Sequence, residues 1–194
     1  NAYQAGDVEL SAERLRGRAG EISWDLVASG GGAPLYTFPR WAWERELLPA
    51  AQIVPMPTAT YDGTVRWQDQ VLDVRAAPGG TARIYGRGNA KRWAWLHADL
   101  GRGDVCEVVA ATSTRRGLSV LPPLPFVRLR VAGGEWPPGD PLIGALRMRA
   151  HIDLPTWTVR GRRKDRLIRV DVTQPPGETV TVNYTDPDGA PAVC

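Results

Sequence analysis

The sequence predicts an all-β chain: an antiparallel β-barrel or closed sandwich with one short helix. Three observations carry this. Apolar and polar residues alternate with period 2 in many short blocks. Gly and Pro, 21 and 17 of 194 residues, punctuate those blocks and leave little room for long helices. Roughly ten to twelve such blocks, about 8–12 residues apart, match the spacing of a sandwich or an up-and-down barrel. Hydrophobic residues at 43% and charged residues at 23% are ordinary globular values, which exclude disorder and fibrous repeats.

Residues 21–27 place Ile22, Trp24 and Leu26 on one strand face and Ser23 and Asp25 on the other. Residues 39–48 form the one helix candidate, with Pro39 near its start and Pro49 as its stop. Asp62-Gly63 ahead of residues 64–67 reads as a hairpin turn. Further strands follow at 81–85, 92–100, 105–112, 126–131, 146–154, 157–160, 167–173 and 179–184. Gly134 to Pro141, with three prolines and two glycines, reads as a long loop. The run Arg160-Gly161-Arg162-Arg163-Lys164-Asp165-Arg166 reads as a solvated hairpin turn, with an anion-binding patch as the alternative.

Net charge is +3, from 24 Lys and Arg against 21 Asp and Glu, too small an excess to argue for nucleic acid. No run of 18 apolar residues exists, so no membrane span is expected. Two cysteines, Cys106 and Cys194, make neither a disulfide framework nor a zinc set, and Cys106 alternates within an apolar strand as a buried thiol. Neither Gly30-Gly31-Gly32 nor Gly86-Arg87-Gly88-Asn89 leads into a helix as a phosphate loop must. A Gly-x-Ser-x-Gly nucleophile elbow is absent. No metal and no cofactor are expected. Without a signal-peptide pattern, a cytoplasmic location is expected.

The aromatic choice is unusual, with Trp 8 against Tyr 5 and Phe 2. In the strand at 92–100, Trp93, Trp95, His97 and Asp99 alternate with Ala94, Leu96, Ala98 and Leu100. Two Trp rings at i and i+2 stand about 7 Å apart on one side. They either fill a core or line an internal cavity with His97 at its polar end. The cavity reading follows from the opposite face, which is already apolar enough to build a core, and it implies an apolar small-molecule partner. His97-Ala98-Asp99 and His151-Ile152-Asp153 each offer too few ligands for a metal, and Arg147 and Arg149 beside the second oppose a cation.

The segment Tyr85-Gly86-Arg87-Gly88-Asn89-Ala90-Lys91-Arg92-Trp93-Ala94-Trp95-Leu96-His97 resembles the central motif of the tocopherol cyclase-like and carotenoid hydratase-like proteins. Gly20-Glu21-Ile22-Ser23-Trp24-Asp25-Leu26, Pro55-Met56-Pro57-Thr58-Ala59-Thr60-Tyr61-Asp62-Gly63 and Tyr184-Thr185-Asp186-Pro187-Asp188-Gly189 with the final Cys194 resemble further landmarks of that family. The resemblance implies lipocalin-like β-barrel halves, usually two, that act on or carry apolar isoprenoids or polyenes. By it, residues 1–194 are one lipocalin-like domain, the first half of a longer two-barrel protein. One departure matters: the hydratase branch resembles Tyr-x-Asp-x-Asn here, whereas this chain has Arg87 between Tyr85 and Asn89. Proton-initiated hydration at that position loses its acid, while ring closure by shape and hydrogen bonding loses nothing.

Two functions from different classes follow. One is an enzyme that folds an apolar isoprenoid, polyene or polyketide-like molecule against tryptophans and promotes its cyclisation or isomerisation. Trp24, Trp93 and Trp95 then shape the ligand, Asn89, Arg87 and Asp99 contact it, and Tyr85, His97 or Asp25 supplies the proton or hydrogen bond. The other is a carrier or sensor with the same site and no chemistry.

Overall fold

Period-2 alternation translates into strand along most of the chain. The computed structural model describes residues 2–47, 50–86, 90–114, 117, 119–163, 165–185, 189 and 191–193. In chain order the elements are β1 (Tyr3–Ala5), β2 (Val8–Leu10), β3 (Arg14–Ala19), β4 (Ile22–Gly31), β5 (Leu35–Tyr36), α1 (Arg40–Glu44), β6 (Ala50–Trp67) and β7 (Gln70–Gly86). They continue with β8 (Ala90–Gly101), β9 (Asp104–Ser113), β10 (Leu124–Val131), β11 (Gly134–Trp136), α2 (Pro141–Ala145) and β12 (Met148–Asp153). The last are β13 (Thr156–Arg163), β14 (Arg166–Thr173), a 3-10 turn (Pro176–Glu178), β15 (Asn183–Thr185) and β16 (Pro191–Val193). The fold class is all-β and antiparallel.

Contacts divide the chain into two compact units, Asn1–Leu35 with Val54–Ala82, and Tyr36–Ile53 with Arg83–Cys194. In the first, a sheet of order β1-β2-β3-β4-β6-β5 also holds β7 against β6. Asp62-Gly63 is no turn, because β6 runs straight through it and Gly63 pairs with Leu26 of β4. The glycine is there for close approach: at φ 146°, a Cβ would lie 2.1 Å from the Asp25 carbonyl oxygen. Asp62 instead accepts the Ala76 N–H at 2.8 Å, where φ of 45° marks an irregularity in β7. Pro55 and Pro57 hid the start of β6 from periodicity, and they are tolerated beyond the stretch, 58–67, that pairs with β4.

In the second unit the sheets are β11-β10-β9-β8, β12-β13-β14 and β15-β16. The core lies between the first two and consists of Val108, Ala110, Val127, Met148, Ala150, Ile152, Trp157 and Val159, with Ala94 and Leu96 of β8 packed against it. Of the β8 face expected to build a core, Ala94 and Leu96 do so, whereas Leu100 is exposed. Gly134 to Pro141 is more than a loop, holding β11 and the start of α2. Asp140-Pro141 is itself a helix-start signal, with the Asp140 carboxylate accepting the Leu142 N–H at 2.8 Å. Among the described residues two short helices thus stand where one was expected. Residues 160–166 do form a hairpin, closed by the pair Arg163 and Arg166. In 179–184, strand begins only at Asn183.

Candidate functional site

Strand pairing in the second unit puts one buried acid where three strands meet. Glu107 on β9 stands opposite His97 of β8 and Arg128 of β10. On the same face Trp95 pairs with Val109, Trp93 with Ala111, and Val109 with Phe126. Tyr36, Phe38 and Gln52 lie against part of this face. The Phe38 ring meets Phe126 at 4.5 Å between centroids, and Arg128 donates to the Tyr36 and Pro137 carbonyls at 3.0 and 3.3 Å.

Glu107 is fully buried, with 0% of its surface exposed. A buried carboxyl must be hydrogen-bonded, and this one is. The Trp95 indole donates to Oε1 at 2.5 Å, Gln52 Nε2 donates to the same oxygen at 3.1 Å, and His97 Nδ1 lies 2.8 Å from Oε2. Burial pushes the carboxyl above its ordinary range, and the bonds from His97 and Trp95 pull it back only in part. The pair sets the imidazole tautomer. An ionised Glu107 accepts a hydrogen bond from Nδ1–H and leaves Nε2 a free acceptor, whereas a protonated Glu107 donates to Nδ1 and leaves the proton on Nε2. His97 Nε2 is buried and has no hydrogen-bond partner. On the same strand face Trp93 and Trp95 are 42% and 41% exposed.

The other expected site residues are scattered. Trp24 and Asp25 sit on β4 in the first unit. The Trp24 ring lies over Gly17, its pairing partner, and its buried indole N–H has no partner. Arg14 grips Asp25 through both carboxylate oxygens at 2.7 and 2.5 Å and holds it below the usual carboxylate range. Asp99 accepts the Gly101 N–H at 2.8 Å and shapes the β8–β9 turn. Tyr85 is described only as strand backbone, and Arg87 and Asn89 lie outside the described residues. Of the nine, the structure brings Trp93, Trp95 and His97 together, and adds Glu107 and Gln52, which sequence reasoning missed. Two grooves of the second unit lie elsewhere. One of about 550 Å³ follows the outer face of β12 and β13, and one of about 270 Å³ runs beside Trp136.

A family model described as tocopherol cyclase-like matches residues 16–194. The chain belongs to the tocopherol cyclase-like family. Two uncharacterized proteins of Mycobacterium tuberculosis, from two strains, are each 48% identical over 194 residues, which is 99% of this chain and 58% of their own length. No solved structure matches. The family membership gives the Trp93–Trp95 segment its context, since the motif of residues 85–97 lies inside the matched region. Among the described residues there is no cluster of three or more His, Cys, Asp or Glu that could hold a metal, and no helix long and apolar enough to cross a membrane.

Proposed function

We propose that this tocopherol cyclase-like chain binds an apolar isoprenoid, polyene or polyketide-like molecule along Trp93 and Trp95 and promotes its cyclisation or isomerisation, with His97 and Glu107 moving the proton. The observation that carries this is the buried, unpartnered Nε2 of His97, whose ring is held at Nδ1 by a fully buried carboxyl on the strand face that also carries two half-exposed tryptophans. A base or acid held by a third group is the usual arrangement for proton transfer. Ring closure and double-bond isomerisation are redox-neutral: one proton is gained at a carbon and one is released elsewhere. Nε2 is the atom placed to give or take it, while Glu107 carries or sheds the matching charge. The tryptophan faces would stabilise positive charge developing on the ligand. Asp25, tied to Arg14, has no part in this transfer. The relatives' further length would supply the second β half that the family resemblance implies.

The test is a titration of the full chain with a panel of polyenes and isoprenoids, read by tryptophan fluorescence and by mass spectrometry of the products. Binding at micromolar ligand with a product of unchanged mass is expected. His97→Gln should retain binding and lose conversion. Binding without conversion in the parent would make the protein a carrier, and no fluorescence response to any member would overturn the site.

A further inference from the structure

The outward face of β12, β13 and β14 carries arginines in a pattern that a sheet alone does not favour. Arg149 stands directly opposite Arg160, and Arg160 directly opposite Arg169, three guanidinium groups in one row across three strands. Side chains so opposed have Cβ atoms about 4.5–5.5 Å apart, where like charges destabilise the pairing. Asp171 neutralises Arg169 at 2.5 Å. Among the described residues, Arg147, Arg149, Arg160 and Arg162 have no acidic partner within ion-pair distance. These four line the open groove of about 550 Å³ together with Leu167.

The strands of this face are polarised. Their acids, Asp153 and Asp171, lie toward the β12–β13 turn and the unpaired arginines toward the β13–β14 turn, where the acid is Asp165 in the turn itself. At the arginine end Leu167, opposite Arg162, is 77% exposed, and Leu146, next to Arg147, is 71% exposed. Guanidinium groups bind phosphate oxygens in bidentate fashion. Leucines that protrude between them gain nothing in water but gain by entering an acyl boundary. We propose that this end of the sheet docks on a bilayer surface bearing anionic phospholipid headgroups, with the arginines on the phosphates and Leu146 and Leu167 in the interface. Nucleic acid fits less well, because the face presents no Trp, Tyr or Phe for base stacking and would desolvate the leucines for no return. The docking face works whether or not His97 and Glu107 move a proton.

The experiment is co-sedimentation of the full chain with vesicles of phosphatidylcholine and with vesicles of phosphatidylcholine doped with phosphatidylglycerol. Binding to the doped vesicles alone is expected, weakening several-fold when salt is raised from about 0.1 M to about 0.5 M as the Debye length shrinks. Arg149→Glu with Arg160→Glu should lower partitioning about tenfold or more, and Leu167→Ser several-fold. Circular dichroism checks the fold, and Arg149→Gln with Arg160→Gln replaces the reversal if the latter unfolds. Equal binding to both vesicle types, or no loss in the arginine variants, would overturn the proposal. So would a short DNA duplex that binds the chain at the same salt and strips it from the vesicles.

Discussion

The two faces of the β8–β9–β10 sheet are built from alternate residues of the same strands, yet they do opposite things. One face, with Ala94, Leu96, Val108, Ala110 and Val127, meets the β12–β14 sheet in a core without a charged side chain. The other, with Trp93, Trp95, His97 and Glu107, is half covered and keeps a carboxyl out of water. The first face maximises apolar burial, whereas the second gives some up to hold polar groups in fixed geometry. That trade is what a functional site requires.

Truncations should separate the faces by size of effect. Trp157→Ala on the core side should cost about 3–5 kcal/mol in urea or thermal melts, since the side chain is 4% exposed and well packed. Glu107→Ala should cost about 1–3 kcal/mol, because it strands the Trp95 and Gln52 donors and the Nδ1 of His97. Trp93→Ala, half-exposed and without a hydrogen bond, should cost less than about 1.5 kcal/mol. If Trp93→Ala matched Trp157→Ala, the two faces would both be core and the comparison would fail.

The smallest effect is in pH dependence. The native Glu107 carboxyl sits above its ordinary value of 4.5, so between that value and its raised native one the folded chain holds a proton that the unfolded chain has lost. Glu107 therefore subtracts stability as pH rises through that window, and Glu107→Gln should flatten this component of the urea midpoint against pH. A variant whose profile overlays the parent's would show that the carboxyl is not desolvated.

Much of this was legible in the sequence, and the exceptions have physical causes. The strand at 92–100, its two faces and the placing of Ala94 and Leu96 in the core follow from alternation alone. Glu107 did not, because it sits within an apolar run and its partner depends on register. Arg102 and Gly103, both at positive φ, make a two-residue turn between Gly101 and Asp104. A regular ladder from that turn would place Ala98 opposite Glu107. A register shift between Asp99 and Gly101 moves the pairing by one residue and brings His97 there instead. Such an irregularity leaves no mark on periodicity. Gly63 misled for a related reason: a glycine forced by backbone contact looks in sequence like a turn glycine. Asp25 reads as a candidate proton source on the polar face of its strand, but Arg16 stands opposite it on β3 and Arg14, one pair further along that strand's face, claims it.

The central claim is that Glu107 is a desolvated carboxyl coupled to His97, and carbon-13 NMR titration of glutamate side-chain carboxyls in the full chain tests it most directly. Glu107, assigned through Glu107→Gln, should ionise above the ordinary glutamate range, and its titration should be sensed at the His97 ring. Ionisation within the ordinary glutamate range, with the His97 signals unmoved, would contradict the account.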